Sequence, residues 1–268
     1  MASSVDVKLR YQLPDFYSDF FPKPLLEASL QEKLATCNAC AEDRYRPDLK
    51  CCTYHPFQPN YLLGAALKQE RISASALNSI QQKIAQREYV LPIGIVAPVP
   101  HQVEFNARDK TQFGNREDWL CPYYDRDQQN CGIWKYRGAV CTTFFCKSSY
   151  GEKGMEFWEQ LSDYLTYVEM ALMEEALVML DFSPRQISEN LEFLNRFDAT
   201  SEELQRKVLP ESMARKIWNG YHDDQQGFYV KCFDIISQMN KKQFLEAMGE
   251  QGMMVEKDLM KSLKGLKL

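Results

Sequence analysis

Residues 154–184 read GMEFWEQLSDYLTYVEMALMEEALVMLDFSP, and within them Phe157, Leu161, Leu165, Val168, Leu172, Ala176 and Met179 recur every three or four positions. That period predicts an amphipathic helix of about seven turns. Ser183-Pro184 ends it and opens the next helix, with the serine as cap, proline at the first helical position, and Ile187, Leu191 and Leu194 as an apolar stripe. Further on, Thr200 with Glu203 forms a capping-box pattern. Pro210 restarts the chain before Ile217 and Trp218, and Phe228 to Met239 carries another apolar face. The methionines and aromatics of this half sit at core spacing and read as packing. Residues 151–268 are therefore expected to form a helical module.

The preceding stretch is of another kind. Pro47, Pro56, Pro59, Pro92, Pro98, Pro100 and Pro122 break it into short elements joined by loops. Pro24 to Ala35 and Ile72 to Arg87 read as short helices, the second with Ile72, Leu77, Ile80 and Ile84 near one face. Tyr89 to Val99 is β-branched and His101 to Phe105 alternates, which predicts one or two short strands or extended edges and no large sheet. The expected fold is mainly α with little β, an irregular cysteine-rich domain over 1–150 followed by the helical module.

Eight of the nine cysteines lie in that first part. Cys37-Asn38-Ala39-Cys40 is followed, after ten residues, by the adjacent pair Cys51-Cys52. A C-x-x-C turn directs two thiolates at one ion. Adjacent side chains diverge, so both members of the pair can ligate only where the backbone turns sharply. The second group, Cys121, Cys131, Cys141 and Cys146, lies in CPYYDRDQQNCGIWKYRGAVCTTFFC, where the polar loop Asp125 to Asn130 and the turn points Gly132 and Gly138 let the segment wind back on itself. An all-sulfur set selects zinc or iron–sulfur chemistry over magnesium or calcium. With only one C-x-x-C and long, irregular spacings, the iron–sulfur reading is preferred, zinc being the alternative. Cys232 stands apart and reads as a buried apolar residue.

Composition bounds the rest. A net charge of -5 and a pI near 5.4 provide no general attraction for nucleic acid or anionic lipid. The basic stretch Lys257, Lys261, Lys264 and Lys267 reads as a solvated helix end. No window of eighteen apolar residues occurs, so no membrane span is expected and a cytoplasmic location is. In that reducing compartment clustered cysteines point to metal or redox chemistry rather than to disulfides.

The order of these cysteines resembles the YkgJ-like family of cysteine-rich domains, described as zinc- or iron-chelating. The likeness runs from Cys37 to Cys146: a C-x-x-C and an adjacent pair, then Cys121-Pro122-Tyr123, Cys131-Gly132-Ile133-Trp134, Arg137 and Cys141. Trp134 stands where the family has tyrosine, Gly138 where it has proline, and the spacer between Cys40 and Cys51 is longer. The resemblance implies a metal-binding cytosolic domain. Flagellin lysine methylase, which looks like a relative, carries such a domain with an iron–sulfur cluster, but no glycine-rich fingerprint for S-adenosylmethionine or a dinucleotide occurs here.

Beyond the cysteines, His55, His101 and His222 are the only histidines, which leaves few ways to build a hydrolytic triad. His55, three residues after Cys52, is placed to serve as alternate ligand or to hydrogen-bond one. His101, Glu104, Asn106, Arg108 and Asp109 can line a pocket beside the centre, or form a solvated loop. Arg137 can hydrogen-bond a cluster sulfide or an anionic substrate, or make an ordinary salt bridge. The 37 acidic residues single out no acid–base pair. Three functions compete: a chelating binding protein whose helices meet an unknown protein partner, a redox or modifying enzyme acting on a small molecule beside His101 and Arg137, and a helical protein whose metal is purely structural.

Overall fold

The structure is a computed structural model that describes residues 5–32, 45–69, 71–107, 112–145 and 147–266. Among the described residues the chain is mainly helical, with seven short strands in three small antiparallel sheets. The first sheet pairs β1 (Val5–Lys8) with β2 (Ser29–Glu32), around two short helices, α1 (Leu9–Gln12) and α2 (Lys23–Glu27). The expected helix from Pro24 to Ala35 is thus limited to one turn. Ala28 adopts ψ 134°, and the chain passes into β2, which finds its partner at the N-terminus of the chain rather than locally.

In the second sheet β5 (Gly94–Ile95) lies between β3 (Gln58–Pro59) and β4 (Val90–Leu91). Helix α3 (Asn60–Gln69) follows β3, and α4 (Ala74–Gln86) has Ser73 as its cap, its hydroxyl accepting from Ala76 N. Ile72 lies just before that cap. His101 to Phe105 is no strand but the body of α5 (Val99–Asn106): Pro98 caps it and Pro100 lies in its first turn, where a missing N–H costs no intrahelical bond. The third sheet is the hairpin of β6 (Tyr124–Asp125) and β7 (Asn130–Cys131), followed by α6 (Ala139–Thr143).

The 29-residue helix α7 (Gly151–Met179) is the axis of the molecule. Its stripe is buried as the period requires up to Ala176, but Met179 is exposed, because by the last turn the apolar face has drifted onto Leu177. Helices α8 (Pro184–Leu191) and α9 (Ser201–Gln205) open on capping boxes at Ser183 and Thr200. They are followed by α10 (Glu211–Ile217), α11 (Gln225–Ser237) and α12 (Lys241–Gly265), the last kinked at Gly249 with φ 59°.

A main core, from Val7 to Leu266, takes buried side chains from both halves of the chain, and Ala65, Ala66, Tyr136 and Phe233 form a small second cluster. Helices α11 and α12 each pack along earlier helices, α11 on α3 and α12 on α7. At the first crossing a Cβ on Gly64 would overlap the carbonyl oxygen of Tyr229, so only glycine admits so close an approach. The Tyr229 hydroxyl donates to Leu91 O at 2.7 Å, and Cys232, fully buried on α11, fills the same layer. The aromatics of residues 16–21 close the other side, with Phe20 stacked on Phe244 at 4.8 Å.

Candidate metal centre

Five of the eight clustered cysteines, Cys51, Cys52, Cys121, Cys131 and Cys141, are described; Cys37, Cys40 and Cys146 lie outside the described residues. All five are half-buried. Lys50, with φ 56°, and Cys51 are the central residues of a turn that Cys52 N closes on Leu49 O at 3.1 Å, the sharp reversal that an adjacent pair requires. Lys50 Nζ donates to Gln129 O at 2.7 Å, tying this turn to the tip of the β6–β7 hairpin. Cys121 N donates to Cys52 O at 2.8 Å, so the two cysteine groups meet backbone to backbone.

The hairpin itself is locally determined. The Asp125 carboxylate accepts from the backbone N–H groups of Asp127 and Gln128 and from Ser75 Oγ, closing the four-residue loop and docking it on α4. Tyr124 pairs with Cys131, and Gly132 lies so close to Ser73 and Ala76 that a side chain would not fit. Cys141 arrives on α6. Arg137 braces that helix: it donates to Trp134 O, to Cys141 O at 3.2 Å and to Gln12 Oε1, and its guanidinium lies 3.5 Å from the Trp134 ring centroid. Three of its five N–H donors thus hold the protein around Cys141.

Electrostatics join the thiols into one neighbourhood. Burial pushes the Cys121 thiol well up, and negative charge on Cys141 and Cys131 would push it further. The Cys141 thiol rises to about 12 through burial and the charges of Cys131, Cys51 and Glu169, with Arg137 opposing. Cys51 falls to about 7, mainly through a hydrogen bond from Cys52, helped by its own N–H, Arg137 and Lys50. Thiolates this close repel one another, and a cation among them removes the repulsion. Among the described residues, no three His, Cys, Asp or Glu side chains stand close enough to hold a metal ion by themselves.

The segments leading to the other three cysteines are joined by one carboxylate. Glu32, fully buried at the end of β2, accepts from Ser148 Oγ, Ser149 N and Trp158 Nε1, at 2.7, 2.7 and 2.9 Å. Phe145 stacks on Trp158 at 4.0 Å. The described chain before residues 33–44 and on both sides of residue 146 is therefore gathered at the N-terminal end of α7.

Leu120 and Pro122, which flank Cys121 in sequence, line a cavity of about 590 Å³, walled also by His55, Lys83, Glu88 and His101. His101 and Glu104 thus line this pocket, and Asn106, whose amide donates to Arg196 O at 2.7 Å, lines a smaller one together with His55 and His101; Arg108 and Asp109 lie outside the described residues. The imidazoles of His55 and His101 have ring centroids 6.0 Å apart. Burial lowers both below the ordinary imidazole value, well below for His55, with the charge of Lys83 acting in the same direction and Glu104 and Asp118 opposing it at His101.

Comparison with protein-family models, with curated proteins and with solved structures finds no match. The chemistry of the site is therefore read from its own residues.

One of those was not picked out from the sequence. Glu169 projects from α7 against Gly138 and takes a hydrogen bond from Ala139 N; burial raises its carboxyl to about 8. A signal existed, since Glu169 follows Leu165 by four residues and precedes Leu172 by three, inside the apolar stripe where a carboxylate has no reason to be unless it meets something there.

Proposed function

We propose that this chain is a cytoplasmic protein that holds an iron–sulfur cluster, of the [4Fe-4S] type, through thiolates drawn from Cys37, Cys40, Cys51, Cys52, Cys121, Cys131, Cys141 and Cys146, as its likeness to the YkgJ-like domains implies. The observation that carries this reading is the meeting of cysteines from two distant groups, fastened by the bond from Cys121 N to Cys52 O and coupled in charge through Cys51, Cys121, Cys131 and Cys141. Sulfur donors fit iron–sulfur or zinc chemistry and disfavour hard cations. The described thiols make up part of a ligand set, which is completed from Cys37, Cys40 or Cys146.

The surroundings favour a working centre over a purely structural one. The cavity lined by Leu120 and Pro122, the sequence neighbours of Cys121, leaves room for a small molecule, and Arg137 holds positive charge near Cys51 and Cys141. A bound cluster would supply electron transfer or Lewis acidity there; the protein would supply the braced α6, the cavity and two neutral imidazoles.

The test is purification without oxygen, followed by an absorption spectrum and iron, zinc and acid-labile sulfide analysis. A brown protein with about four iron and four sulfide per chain is expected. Replacing Cys51 by Ala is expected to diminish the visible band while the helical circular dichroism persists. A colourless protein holding zinc would overturn the cluster reading and leave a chelating scaffold.

A further inference from the structure

The thiol neighbourhood does not use His55 and His101, yet both are placed as ligands. His55 is more than nine-tenths buried. Its Nδ1 lies 3.3 Å from Pro56 O, an acceptor, so the proton sits on Nδ1 and Nε2 keeps a bare lone pair. Donation from Nδ1 to a carbonyl is how metal-ligating histidines are oriented. Nε2 of His55 and Nε2 of His101 are both buried and have no hydrogen-bond partner, and both residues line the 590 Å³ cavity. Buried polar atoms without a partner are rare in folded proteins and call for an ion, a water or a ligand.

From this geometry we infer that His55 and His101 form a second site, separate from the thiolates, for a divalent transition-metal ion of the zinc, cobalt or nickel class. Two imidazoles bound through Nε2 at about 2.1 Å in a tetrahedral shell put their ring centroids roughly 5–5.5 Å apart. The observed 6.0 Å requires the rings to close by less than about 1 Å when the ion binds. Imidazole nitrogen selects these ions over magnesium and calcium. Two protein ligands leave coordination positions open to the cavity, the form in which a metal accepts water or a substrate oxygen rather than serving as a strut. On the same wall Glu88 pairs with Lys83 at 2.7 Å, and Glu104 and Asp118 both pair with Arg116, so these carboxylates would turn to the ion only by giving up those pairs. Stacking on Phe105 and the edge of Trp119 hold the His101 ring in place.

The site does not depend on what the cysteines hold, and the test keeps the two apart. The full-length protein, with its thiolate-bound metal and sulfide already quantified, is dialysed against cobalt(II), and the bound cobalt is counted and its ligand shell read from cobalt K-edge X-ray absorption. The expected result is one cobalt per chain with a nitrogen and oxygen shell that includes imidazole. His101→Gln, a half-buried position, and His55→Gln should each weaken cobalt binding at least about tenfold, and His222→Gln, outside the cavity, should leave it unchanged. A sulfur shell, no bound cobalt, or full retention in His101→Gln would overturn the inference. If either variant lost its fold, the wild-type ligand shell alone would decide.

Discussion

Glu169 is the residue whose surroundings contrast most with its chemistry. Its carboxyl titrates near 8 in the folded chain and near 4.5 when unfolded, so the folded state binds the extra proton between those values. Stability is then highest below about pH 4.5 as far as this group is concerned, and falls as pH rises, at about 1.4 kcal/mol per unit, until the folded group ionises near pH 8. Glu169→Gln is expected to abolish that slope; denaturant melts of both proteins at several values between pH 5 and 8 would measure it, and parallel slopes would refute it. At this scale the sequence was partly legible. Cysteine identity and order were plain, because thiol chemistry travels with the residue. The meeting of His55 with His101, 46 positions apart, and the bonding of Glu32 to Ser148 were not, because each depends on tertiary contacts that no local pattern encodes. The bonds of Arg137 to Trp134 O and Cys141 O, which brace α6, were likewise not legible.

Among the elements, helices with strong signals in their own sequence came out as read. The stripe of α7, the Ser183 cap of α8 and the capping box of α9 were read from period and local pattern alone; Gln186, which completes a box at Ser183, was not. Two others were misread for identifiable reasons. Five alternating residues from His101 were too few to outweigh the proline pair that starts α5, and β2 exists only because Val5–Lys8 lies beside it. The tightest helix contact, α3 against α11, also has its price in sequence: at Gly64 any side chain must displace the Tyr229 backbone. Gly64→Ala is expected to destabilise the fold by about 1–3 kcal/mol, seen as a lower denaturation midpoint with an unchanged m-value. An unaffected midpoint would mean that the two helices can move apart freely.

On the scale of the whole molecule, the sequence divides into a cysteine-rich stretch and a helical stretch, but burial joins them. Trp218, Phe228, Tyr229 and Ile236 are sealed in the same core as Leu62, Leu91 and Ile95. A fragment of residues 151–268 would expose the faces of α7 and α11 that pack on α3, and it is expected to bind the dye ANS and lack a cooperative thermal transition. A sharp transition in that fragment would show that the helices form a core without the first half. Among the described residues no helix is long and apolar enough to cross a membrane.

The crossing of α3 and α11 also sets an order of events on the ribosome. Synthesis runs from the N-terminus, so all eight clustered cysteines have been added about ninety residues before α11 is complete at Ser237. At about 5–20 residues per second that interval lasts roughly 5–20 s. During it the face of α3 that Tyr229 and Phe233 will cover stands open, and apolar surface in that state invites aggregation or a chaperone.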